Sequence, residues 1–260
     1  MHEWNADAYH RLSDPQLKWG IPVLARLPLQ GNELVLDVGC GTGRLTELLL
    51  ERLPRGRVIA MDLSANMLEA ARSHLAPRFD SRIHFIRADA AALPIRTHAD
   101  AIFSTATFHW VLDHPSLFRS LYDALVPGGR LVAQCGGGPN IKRVHDRCNV
   151  LMAAPRYASH FSGWRDPWEF ADADTAAARL RAAGFVAVET TMEYTPVIQP
   201  DAKAFADFVG PVICRPHLAR LPDETSRKEF MQAITELAAK DDPPFELDYW
   251  RLNMAARKPG

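Results

Sequence analysis

Long apolar runs, an excess of charge and paired cysteines are all missing from this chain of 260 residues, and each absence removes a class of function. Its strongly apolar stretches are strand-sized, too short to form a membrane-spanning helix. Basic and acidic residues number 30 and 31, for a formal net charge of -1, so no broad attraction for a polyanion exists and nucleic acid is a poor partner. The four cysteines, Cys40, Cys135, Cys148 and Cys214, contain no C-x-x-C pair and no regular ligand spacing, and neither do His114, His145, His160 and His217. Reduced thiols and no metal are expected. The opening Met1-His2-Glu3-Trp4-Asn5 has neither the charged nor the apolar region of a signal peptide, which points to a cytoplasmic protein. Repeats, low-complexity tracts and flexible linkers are absent too, so with 47% hydrophobic content a single domain is expected over residues 1–260.

What is present is concentrated in Val35-Leu36-Asp37-Val38-Gly39-Cys40-Gly41-Thr42-Gly43. Glu33 to Val38 reads as a buried strand, and Gly39, Gly41 and Gly43 let the chain turn sharply and approach a ligand without side chains in the way. A helix from about Leu45 to Leu53 follows, its free N–H groups offered to a carboxylate. Asp62, 19 residues beyond Gly43, ends a second strand and can accept both hydroxyls of a ribose. A dinucleotide fingerprint would require glycine where Arg44 stands, which disfavours NAD.

The rest of the first half alternates strand and helix. Asp14-Pro15 opens a helix with Leu17, Ile21 and Leu24 on one side, Arg57 to Asp62 is the second strand, and Ser64 caps a helix to about Leu75. Strands at Ile83 to Ala88 and Ala101 to Thr105 end at Asp89 and beside Phe108-His109-Trp110, and a helix over Pro115 to Leu125 stops at Val126-Pro127-Gly128-Gly129 before a strand over Arg130 to Gln134. Such alternation implies a parallel sheet whose ligands sit beyond the carboxyl ends of the strands, where Asp37, Asp62, Asp89 and Thr105 converge. Later come helices near 141–152, 175–183, 202–209 and 223–240, the last with Phe230, Ile234 and Leu237 on one face, and strands near 185–192 and 249–256. Insertions over about 136–174 and 198–246 are placed to form a helical cap.

The D-x-G-x-G-x-G run and the three later strand ends together resemble the class I methyltransferases that use S-adenosylmethionine, over about Trp4 to Gln134. The resemblance implies an α/β, Rossmann-like, seven-stranded and mostly parallel sheet with one reversed edge strand, helices on both faces, and a cofactor core over about 30–135. It also implies that the methionine portion of S-adenosylmethionine lies over Gly39, Gly41 and Gly43, the ribose on Asp62, and the adenine near Leu63, Met67, Asp89 and Ala90. Trp4 and Tyr9 could close over the cofactor as a lid.

A narrower resemblance, to small-molecule carboxyl methyltransferases such as the trans-aconitate and juvenile hormone acid enzymes, rests on Tyr9 to Gln16 and on Ala106 to His114. It implies a carboxylic acid substrate converted to its methyl ester, with Gln16 and Trp110 holding the carboxylate. A carboxylate is already a nucleophile at neutral pH, so such a site supplies alignment by neutral donors and needs no base. Two other readings stand beside it: O-, N- or C-methylation of a different small molecule with His109 as base, and a cofactor-binding module without catalysis. Intact glycines and polar groups near the reacting end favour an enzyme. Phe108, His160, Trp164, Trp168, Arg215 and His217 are candidates for the acceptor pocket. The oligomeric state is not encoded in any feature of the chain.

Overall fold

A computed structural model describes residues 14–260, with side chains from residue 17 onward. The proposed lid residues Trp4 and Tyr9, most of the Tyr9 to Gln16 motif and the side chain of Gln16 lie outside the described residues. The chain divides into two compact units, one formed by the residues up to Gly138 with Trp168–Met192 and Leu252–Gly260, the other by Pro139–Pro167 and Glu193–Arg251.

Among the described residues of the first unit, α1 (Asp14–Ala25) precedes β1 (Leu34–Val38), α2 (Arg44–Glu51), β2 (Arg57–Asp62), α3 (Ala65–Phe79), β3 (Ile83–Arg87), β4 (Ala99–Thr105), α4 (His114–Ala124) and β5 (Leu125–Gly136). After α5 (Lys142–Ala153) in the other unit come α6 (Ala173–Ala182) and β6 (Val186–Tyr194), and the chain returns with β9 (Trp250–Arg257). The seven strands lie in the order β3-β2-β1-β4-β5-β9-β6, with β3 through β5 all parallel.

A parallel sheet must be covered on both sides, and β1 shows how the sequence achieves it. Alternate residues point to opposite faces, so Leu36 and Val38 join a core with Leu117, Phe118 and Leu121 of α4, while Val35 joins one with Leu49 and Leu50 of α2 and Leu75 of α3. The helix starts are specified locally: Ser64 Oγ accepts from Met67 N–H, and Asp113 from Ser116 N–H with Pro115 in the first turn.

Three expectations are corrected. The strand assigned to Arg130 to Gln134 begins at Leu125, which pairs with Ala99; Val126 to Gly129 bulge outward before Arg130 pairs with Ala101. The bulge is held because Gly128 N–H reaches the Lys258 and Pro259 carbonyls and Lys258 N–H returns to Gly129. The reversed strand is not at an edge. Lys258 bonds to Gly129 and Asn253 to Gln134, so β9 runs antiparallel to β5 and fills the slot between β5 and β6. Asn253 Oδ1 accepts from both Gln134 and Arg26, which anchors that slot to the end of α1. In the last long helix, Ala238 rather than Leu237 completes the buried stripe with Phe230 and Ile234, because the spacing there is every fourth residue.

The second unit contains α5, β7 (Val197–Ile198), α7 (Ala202–Val212), α8 (Arg215–Leu218), α9 (Glu224–Ala238) and β8 (Glu246–Leu247), with β7 and β8 antiparallel. Asp201 and Asp223 cap α7 and α9 through bonds from Ala204 and Ser226. Among the described residues, no helix is long and apolar enough to cross a membrane.

The entry to β1 depends on one buried carboxylate. Glu33 accepts backbone N–H groups from Gln30, Gly31 and Asn32 at 2.6, 2.8 and 3.1 Å and the Arg130 guanidinium at 2.8 Å. Glu33→Ala strips all four donors and should cost about 2–4 kcal/mol in urea unfolding; a loss under about 0.5 kcal/mol would show the carboxylate to be ornamental.

Candidate active site

The crevice beyond the strand ends is built around the turn after β1. Gly39 and Cys40 both donate their N–H groups to the Met61 carbonyl, at 2.8 and 2.9 Å, which ties the turn to β2. Gly41 N–H then donates to Asp62 Oδ2 at 3.0 Å, and Ser64 N–H to Asp62 Oδ1 at 2.9 Å. Backbone donors thus fix the carboxylate at the end of β2.

The three glycines serve different ends. Gly39 has φ +78°, and a Cβ on it would lie 2.0 Å from Thr107 Oγ1, so it exists to let the β4 loop close in. Gly43 has φ +86° and sits against Leu75 and Ala71, so it packs α2 on α3 and does not line the crevice. Gly41 has φ +55° and faces open space, with nothing within 4 Å of a would-be Cβ. That is a cradle left clear for a ligand.

Gly39, Gly41, Asp62, Leu63, Met67, Ala90, Thr105 and Trp110 line one continuous hollow together with Met61, Ala88, Ala106, Thr107 and Val111. A second hollow, which shares Gly39, Gly41, Thr105 and Ala106 with the first, is lined also by Asp37, Arg44 and Leu17. Asp89 stands at the rim: it is exposed, and its Oδ1 accepts from Ala91 N–H as the cap of a short turn. Asp37 is buried, with the Thr46 hydroxyl donating to it at 2.7 Å. Burial pushes its carboxyl up to about 7, Thr46 pulls against that, and the Asp62 charge adds to it. Loss of hydration, with the Asp37 and Asp62 charges, pushes the Cys40 thiol well up, which removes it as a nucleophile.

His109 and Trp110 occupy the turn Phe108–Trp110 after β4. Trp110 lines the hollow, and its ring meets His109 at 5.2 Å and Trp168 edge-on at 6.2 Å. His109 lies behind it, against Phe170, and its Nδ1 accepts from Gly136 N–H at 3.3 Å. A nitrogen that accepts carries the lone pair, so the proton of the neutral ring is on Nε2. Phe108 is buried against Phe118 in the core and His217 is buried in the second unit, so neither is an exposed pocket wall in its own unit.

A support beneath this turn escaped sequence reasoning. Arg179 of α6 donates to His114 Nδ1 at 2.8 Å, which leaves Nε2–H of His114 to donate to the Phe108 carbonyl at 3.1 Å. Burial and the adjacent guanidinium hold His114 below its ordinary pKa, despite the pull of that carbonyl, so it stays neutral. Arg179 also binds Glu169, whose N–H donates to the His109 carbonyl at 2.8 Å. The only sequence signal was a histidine capping-turn neighbour of Asp113, and nothing in spacing linked it to Arg179.

Comparison with known proteins gives this geometry a family. The family described as Methyltransferase domain matches residues 35–129. The trans-aconitate 2-methyltransferase of Methylobacterium radiotolerans is 33% identical over 276 residues, spanning 99% of this chain and 99% of its own length. The chain belongs to the class I S-adenosylmethionine-dependent methyltransferases. The trans-aconitate 2-methyltransferase of Paracidovorax citrulli is 34% identical over 246 residues, covering 90% of this methyltransferase and 88% of that one. Among solved structures, Haemonchus contortus phosphoethanolamine N-methyltransferase 2 in complex with S-adenosyl-L-methionine has a TM-score of 0.64 at 19% identity, covering 98% of this chain and 57% of that one. An S-adenosylmethionine-dependent methyltransferase from Mesorhizobium loti has a TM-score of 0.53 at 22% identity, covering 92% and 96%. The methyltransferase therefore has the fold expected from its strand ends, uses S-adenosylmethionine and acts on a small molecule.

Asp37 makes the stability of the methyltransferase depend on pH. Its folded carboxyl sits near 7 against an ordinary 3.8, so its contribution is complete below about pH 4 and is lost as pH rises through about 7. Between those limits it should subtract up to about 1.4 kcal/mol per pH unit, and Asp37→Asn should abolish that slope. Parallel urea titrations from pH 4 to pH 8, roughly, check this, and identical slopes for the two proteins would refute it.

Proposed function

We propose that the enzyme methylates a carboxylate of a small organic acid to give a methyl ester. The observation that carries this is the division of labour in the turn after β4: Trp110 lines the hollow while the lone pair of His109 is turned to the Gly136 N–H. The indole N–H of Trp110 is a neutral donor, and an anionic acceptor needs donors, not a base. Relatives named trans-aconitate 2-methyltransferase that match nearly the whole chain support the same acceptor class.

The residues present fit the cofactor. Gly41, open above its Cα, and Gly39 would take the methionine portion; Asp62, already fixed by Gly41 and Ser64, would accept the ribose hydroxyls. Leu63, Met67 and Ala90 would flank the adenine, with the second oxygen of Asp89 at the rim for its amino group, and Asp37 and Thr105 would bound the second hollow. When bound, S-adenosylmethionine supplies an electrophilic methyl carbon on a sulfonium, and no base is consumed in its transfer to a carboxylate. Trp110 would hold one carboxylate oxygen through its indole N–H and Gln16, whose neighbour Leu17 lines the second hollow, would hold the other. His109 would stiffen Trp110 from behind.

Mild alkali should release volatile label from products made with radiolabelled S-adenosylmethionine and a panel of carboxylic acids, phenols and amines. Alkali-stable label would move the assignment to O-, N- or C-methylation with His109 as base. Trp110→Phe and Gln16→Ala should each reduce kcat/KM by about tenfold or more while His109→Ala keeps substantial activity. Asp62→Ala should weaken binding of the demethylated cofactor by at least about tenfold in calorimetry, and wild-type affinity would refute the ribose contact.

A further inference from the structure

The second unit holds the one group of three potential metal ligands found among the described residues: Cys148, Cys214 and His217. All are buried, at 1%, 0% and 1% exposure. The two sulfurs are 3.6 Å apart, and all three ligand atoms lie within 4.8 Å of one another. We propose that Cys148, Cys214 and His217 form a structural site for a thiophilic divalent cation, zinc in the first instance, that staples α5 to α8.

The geometry fits a metal and excludes a disulfide between the two thiols, which stand at hydrogen-bond distance. Sulfurs bound tetrahedrally to zinc at about 2.3 Å are about 3.8 Å from each other, close to the separation here, whereas a disulfide needs about 2.05 Å. The wider limit for His217 exceeds the roughly 3.6 Å expected between sulfur and nitrogen ligands, so the imidazole would turn inward by about 1 Å at most. Charge is the second argument. A divalent cation displaces the two thiol protons, and with a neutral imidazole the assembled site carries no net charge, which a buried position tolerates. Third, the ligands lie in rigid register. Cys214-x-x-His217 places two of them one turn apart, and the His217 ring is clamped by Trp164, stacked at 4.7 Å, and by Phe230. His145-x-x-Cys148 repeats the spacing on α5, within electrostatic reach of His217, and His145 is the candidate for the fourth position.

Sequence spacing gave no such expectation because each three-residue pair mixes cysteine with histidine and the pairs are 66 residues apart. The staple would join the two chain segments, Pro139–Pro167 and Glu193–Arg251, from which the unit is assembled. It does not depend on the identity of the methyl acceptor.

Metal analysis of the untagged full chain purified without chelators is expected to give one zinc per chain. After chelation under reducing conditions, cobalt(II) should bind with the thiolate charge-transfer band and the visible bands of tetrahedral coordination. Cys148→Ser, Cys214→Ser and His217→Gln should each cut bound zinc to about a tenth or less. Chelator should lower the thermal midpoint of the wild type and leave the variants unmoved. Absence of both stoichiometric zinc and the cobalt spectrum in the wild-type chain would overturn the proposal, and so would recovery of Cys148 and Cys214 as a disulfide; these readouts hold even if a variant fails to fold.

Discussion

The site rests on the attachment of the glycine turn to β2. Two N–H groups on the Met61 carbonyl and a third on the Asp62 carboxylate hold a segment that would otherwise have no regular partner. These bonds do two things at once. They satisfy donors exposed by a chain that leaves a sheet and has not yet entered a helix, and they lock the carboxylate that faces the crevice. Because β1 and β2 are in fixed register from Leu34–Arg57 to Val38–Met61, the turn has no freedom to slide. Binding then orders little that is not already ordered.

Much of this was legible because the physics is local. The three glycines, Asp62 and the alternation of strand and helix follow from close-range steric and hydrogen-bonding demands, and several helix starts carry their own caps, at Ser64, Asp113, Asp201 and Asp223. What escaped was set by distant partners. The bulge at Val126 to Gly129 is a stop signal by composition, and only bonds from Lys258 reveal it as part of a strand. The individual duties of Gly39, Gly41 and Gly43 look identical in sequence and separate only when Thr107, Leu75 or empty space is found beside each. Arg179 and His114 meet across 65 residues, with no periodicity to announce them.

The titrating groups divide in the same way. Asp37 and Asp62 are near one another at the ends of adjacent strands, yet burial acts on the first while backbone donors fix the second. Two carboxylates of the same chemical type are thereby given different surroundings, one desolvated and one held by backbone N–H groups. The histidines show it as well: His109 and His114 are each committed to one tautomer by a single contact at Nδ1, one from a backbone N–H and one from a guanidinium.

The position of β9 between β5 and β6 governs when the sheet can exist. Five parallel strands can associate as soon as β5 has been synthesised, but β6 finds no neighbour until residues 250–257 arrive. During translation β5 is therefore an open edge, with Gln134 and Arg26 waiting for Asn253. An emerging chain of this design keeps β5 open to pairing with other strands until residues 250–257 arrive, and its release from that hazard comes as a single late event.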